Sequence, residues 1–189
     1  MKRTSTLLLI SLVTTGTAWG SDKASEVEEI QLNKDGVAAL ARCEWHTSLD
    51  KFREALRLNP ASETARNNLS IAHNNYALRL FLGFHKTDEA LREFRQAIFL
   101  DPTNPTTRQN YHGALRKLGK DPESYTTRVE LGNEAESKND LVGAVVEYRE
   151  AIRLKGDPEL KKKLDLLDNR LQKESSQIID NYGENDSIR

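Results

Sequence analysis

The chain has 189 residues and a formal net charge of −1, with charges of both signs interleaved along its length. That length holds one domain with a sizeable core, and the charge balance excludes a dedicated nucleic-acid surface, which shows a basic excess. Aromatics are few and apolar residues fall at helical spacing, so the expected class is all-α.

Residues 1–20, "MKRTSTLLLISLVTTGTAWG", read as an export signal. Lys2 and Arg3 precede a short apolar stretch over 7–13, and Ala18 and Gly20 fit the −3 and −1 positions of a signal-peptidase site. The apolar run is shorter than the ~20 residues a spanning helix needs. Cleavage near Ser21 is therefore expected, leaving no membrane span; the alternative is an uncleaved anchor. The expected location is outside the cytoplasm, in the periplasm or cell envelope, or fully secreted. Residues 21–28 read as a linker. Cys43 is the single cysteine, which excludes an intramolecular disulfide and leaves stability to the packed core. Its place at a turn reads as that of a semi-buried, inert thiol; the alternative is a reactive one.

Three later segments align: "SLDKFREALRLNP" (48–60), "ALREFRQAIFLDP" (90–102) and "AVVEYREAIRLKG" (144–156). Each carries a small residue, an aromatic four later and an alanine three after that: Ser48/Phe52/Ala55, Ala90/Phe94/Ala97 and Ala144/Tyr148/Ala151. On a helix the three stack on one face, where small residues admit a neighbouring helix and the aromatic fills the gap. Arg95 falls beside this face and reads as surface. Pro60, Pro102 and the pair Gly156 and Pro158 stop the three helices.

This pattern resembles the second helix of the tetratricopeptide repeat (TPR), A-x3-F-x2-A followed by proline. The first helices match less well. Leu131 and Gly132 supply the family's Leu–Gly pair and Gly36 its glycine, but Ser70 and His112 stand at that glycine elsewhere. The opening tryptophan is replaced by Leu32, Arg66, Arg108 and Arg128. The resemblance implies an all-α, TPR-like α-solenoid of antiparallel helix pairs with a C-terminal capping helix. The repeat domain would span 29–173, with repeats at about 29–62, 63–104 and 125–158. A bridging helix over 105–118 and a capping helix over 158–173 complete it, and 174–189 form a disordered acidic tail. Leu160, Leu164, Leu167 and Leu171 make the stripe of the capping helix.

In this family the first helices line a concave groove. Carried over, the groove-facing candidates are Asn33, then Asn67, Asn68, Asn74 and Asn75, then Gln109, Asn110 and Arg116. Asparagine is a mediocre helix former, yet two pairs recur seven residues apart in one helix. A carboxamide both donates and accepts, so a row of them suits the backbone of an extended polypeptide. The competing reading is a solvated polar face. His46, His73, His85 and His112 are scattered, and no phosphate loop or nucleophile motif occurs. The expected function is therefore a non-enzymatic scaffold binding a protein or peptide partner, with no cofactor and no metal. The alternative is an assembly element that forms homo-oligomers through the leucine-striped C-terminal helix.

Overall fold

The helix ends are written in turn chemistry. In a computed structural model, the backbone is described for residues 18–185 and the side chains for 23–174. Every regular element there is helical: α1 (Ala18–Ala41), α2 (Trp45–Leu58), α3 (Glu63–Leu78), α4 (Thr87–Leu100), α5 (Pro105–Lys117), α6 (Tyr125–Ser137), α7 (Leu141–Leu154) and α8 (Pro158–Asn185). A π turn, Arg79–Gly83, extends α3. Asn104 accepts from the Thr106 and Thr107 amides ahead of Pro105 at the first helical position, Ser124 from Thr127, and Asp140 from Gly143. Helices α1, α5 and α6 end alike. Cys43, Gly119 and Asn139 take positive φ (58°, 71° and 56°), and the next amide, of Glu44, Lys120 or Asp140, reaches back to Ala39, Leu115 or Ala135. That 6→1 bond satisfies a carbonyl the helix leaves open and turns the chain sharply into its neighbour.

The chain divides into two compact units, residues 1–65 and 66–189, with the division in the first turn of α3. In the first unit α1 and α2 pack as an antiparallel hairpin. The contact is close because Gly36 faces Phe52: a Cβ at Gly36 would lie 2.6 Å from the ring. Ser48, Leu49, Phe52 and Ala55 form the buried stripe of α2, and Leu32, Ala55 and Ala65 cluster beside it.

In the second unit α4 packs on α5 and on α7, α6 pairs with α7, and α8 covers α7. Gly132 repeats the arrangement of Gly36, since a Cβ there would enter the Tyr148 ring. At the matching position of α3, Ser70 Oγ donates to the Ala97 carbonyl at 2.9 Å, tying α3 to α4. One apolar cluster joins Ala77, Leu91, Phe94, Ile98, Tyr111 and Leu115 with Leu131 and Val146. A second joins Tyr148, Val145 and Ala151 with Leu160, Leu164 and Leu167 of α8. The leucine stripe is thus buried against α7, and Leu171 packs on its edge. The fold is all-α and TPR-like, with antiparallel helix pairs and a capping C-terminal helix.

Four expectations need amendment. Helix α8 continues to Asn185, where a disordered tail was expected from 174. Helix α1 starts at Ala18 and runs through the expected linker; residues 1–17 of the expected signal lie outside the described residues. Cys43 is exposed, not semi-buried, on the left-handed turn between α1 and α2. Arg95 is buried, for the reason given next.

Candidate functional site

Two polar assemblies occupy the second unit. The first consists of amides. On α3, Asn74 is buried and Asn75 half-buried; on α5, Asn110 is half-buried. Asn110 Nδ2 donates to Asn74 Oδ1 at 2.9 Å, and Asn74 Nδ2 donates to Asn75 Oδ1 at 3.1 Å. The relay leaves Asn75 Nδ2 as a donor and Asn110 Oδ1 as an acceptor with no partner among the described residues, and neither atom is sealed from solvent. One free donor and one free acceptor on adjoining helices match the N–H and C=O of a passing peptide unit. Gly113, one turn after Asn110, keeps the surface open: a Cβ there would meet nothing within 4 Å. Behind the amides, buried His73 places Nδ1 2.6 Å from Glu93 Oε2, fixing α3 against α4.

The other candidates fall around or away from this relay. Asn67 lies two turns before Asn74 and is exposed; Asn68 is half-buried; Gln109 and Arg116 are exposed on α5. Asn33 corrects the expectation. It is buried in the first unit, where Nδ2 donates to Glu29 Oε1 at 2.5 Å. Glu29 Oε1 also accepts from Ser62 Oγ at 2.7 Å, and Ser62 Oγ accepts from the Ala65 amide that opens α3. Asn33 therefore supports a helix cap and faces no groove.

The second assembly is a buried charge network that sequence reading missed. Glu147 and Arg128 are 0% exposed. Glu147 Oε2 accepts from Arg128 Nη1 at 2.8 Å and Oε1 from Arg95 Nε at 2.8 Å, while the Tyr111 hydroxyl makes a very short bond to Oε1. Arg128 spends its other donors on the Pro122 carbonyl (Nε, 2.8 Å) and on His112 Nε2 (Nη2, 2.8 Å), and its guanidinium lies 5.5 Å from the Tyr111 ring centre. A carboxylate that receives both guanidinium ions, with nearly every donor matched, can be held in an apolar core. Burial pushes the Tyr111 hydroxyl well above its usual pKa, with the Glu147 charge adding to the shift. Burial and the neighbouring Arg128 charge hold His112 below the ordinary histidine range. Nearby, Arg108 Nη1 pairs with Glu150 Oε1 at 2.7 Å. Burial favours protonation of Glu150, but the Arg153 hydrogen bond and the Arg108 charge outweigh it and lower its pKa.

The signal for this network was the arginine at the first-helix tryptophan position. Arg108 and Arg128 each find a glutamate on α7, three residues apart. The bulky indole is replaced by a guanidinium with a dedicated counter-charge. Among the described residues, no group of three or more His, Cys, Asp or Glu side chains is placed to hold a metal ion.

No family model matches the chain, and no curated protein matches it either. Among solved structures it is similar to the Arabidopsis OM64 TPR domain, at 21% identity, with a TM-score of 0.32, over 82% of this chain and 98% of that one. The fold stated above rests on the helix pairs themselves.

Proposed function

We propose that the protein is a non-enzymatic interaction module that holds an extended segment of a partner protein against the α3–α5 face. The observation that carries this reading is the amide relay Asn110–Asn74–Asn75, which ends in one accessible donor and one accessible acceptor. Amides in helix interiors cost helix propensity, and a relay with open, accessible ends gives them a use in binding. Recognition would be of peptide backbone, with Asn67, Asn68, Gln109 and Arg116 at the margins setting preference. We further propose that the segment 1–20 directs export, so that the partner lies outside the cytoplasm; an intact Met1 on exported protein would contradict that.

Burial of Leu160, Leu164 and Leu167 against α7 favours capping over self-association through α8. Sedimentation at two concentrations separates these: a mass that rises with concentration would support the assembly reading. Selection of binders from a random displayed peptide library, followed by titration with Asn74→Ala and Asn110→Ala proteins, tests the groove itself.

A further inference from the structure

The end of α3 is built unlike the other helix ends. The wider π turn Arg79–Gly83 breaks the inward stripe after buried Leu80 and half-buried Phe81, so that the following apolar side chains project outward. Leu82 is 55% exposed and Phe84 51%. His85 then reverses the chain at φ 55°, and the Lys86 amide closes the loop on the Leu80 carbonyl at 3.0 Å. The Arg79 guanidinium is folded over the Phe84 ring, 4.6 Å from its centre. Gly83 permits this, because a Cβ there would come 2.9 Å from Arg79 Nη1. The last turn of α5 adjoins the same edge, with Lys117 Nζ 5.9 Å from the Phe81 ring centre and Leu118 also exposed.

Two cations border these apolar side chains. Arg79 and Lys117 make no ion pair with any described residue, in contrast to Lys86, which is held 3.0 Å from Glu89. We propose that this edge is a docking surface for an anionic lipid bilayer, with Leu82 and Phe84 entering the interfacial region and Arg79 and Lys117 meeting lipid phosphates. The charge complementarity favours an anionic surface, and two neighbouring apolar side chains presented on a tight turn suit shallow insertion. The edge is separate from the amide relay, so this inference stands independently of peptide binding.

The test is co-sedimentation of the full chain with phosphatidylcholine vesicles and with vesicles containing about one third phosphatidylglycerol. The edge reading expects preference for the anionic vesicles, weakened in high salt because exposed charges are screened within ~3 Å at 1 M. Leu82→Ser/Phe84→Ser and Arg79→Ala/Lys117→Ala should each lower that partitioning by about tenfold or more, since each cation near such a surface contributes roughly fivefold. Asn74→Ala/Asn110→Ala should bind as the parent does. In Phe84→Trp protein, brominated lipid should quench the added fluorescence, a readout that the apolar segment at residues 7–13 does not supply. Partitioning equal in the parent and the edge variants would overturn the proposal. So would an unquenched Trp at position 84, or binding of a soluble acidic peptide at this edge without vesicle binding.

Discussion

Arg128 and Glu147 face each other across α6 and α7 at 2.8 Å with neither side chain open to solvent. Glu147 also pairs with Arg95, so removing its charge leaves buried Arg128 without a carboxylate and Arg95 with only Asp140, 3.7 Å away. We expect Glu147→Gln to destabilise the protein by about 3–5 kcal/mol, the cost of breaking a buried pair from one side. Arg95→Ala leaves the Arg128 bond in place and should cost about 1–3 kcal/mol. Arg92→Ala, on the exposed side of the same helix, should stay within about 0.5 kcal/mol. Urea melts of the three variants check this order; an Arg95→Ala melt as mild as that of Arg92→Ala would mean the network contributes little.

His112 gives the network a pH dependence. Its Nε2 accepts from Arg128 while the ring is neutral, and protonation would set a donor against a donor. The folded pKa lies below the unfolded value. The unfolded state therefore takes up the proton first, and stability falls as pH drops through the unfolded value, about 6.5, toward the folded one. Melting temperatures across pH 5–8 should show this slope, and His112→Gln should flatten it. A slope unchanged by that substitution would assign the effect to other groups.

The two helix glycines predict opposite responses to one methyl group. Gly132→Ala drives a Cβ into the Tyr148 ring and should cost about 1–3 kcal/mol by overpacking. Gly113→Ala meets open space and should gain about 0.5–1 kcal/mol from helix propensity. Thermal melts of equal sign for the pair would contradict the packing described.

Small-aromatic-alanine faces were legible because one physical requirement, close helix approach, recurs three times at fixed spacing. Phe52, Phe94 and Tyr148 are all fully buried, and Ala97 lies where Ser70 bonds across to α4. The charge network was not legible. Arg95 has the composition of a surface residue, and only its partner Glu147, 52 residues later, reverses that reading. Asn33 misled for a similar reason: its seat is set by Glu29 and by Ser62, which lies well down the chain. The asparagine repeat on α3 was visible, but its pairing with α5 through Asn74 and Asn110 depends on how the helices meet.

Titration of a selected extended peptide against the parent and the Asn74→Ala/Asn110→Ala protein tests the amide relay most directly. The double change removes the Asn110 acceptor and the Asn74 link that positions the Asn75 donor; with each lost backbone hydrogen bond costing about 0.5–1.5 kcal/mol, binding should weaken roughly 5- to 150-fold. Stability of the free protein should remain near that of the parent. Affinity unchanged by the double substitution, in a variant shown to be folded, would leave the amide relay as a structural link between α3 and α5 and contradict the account.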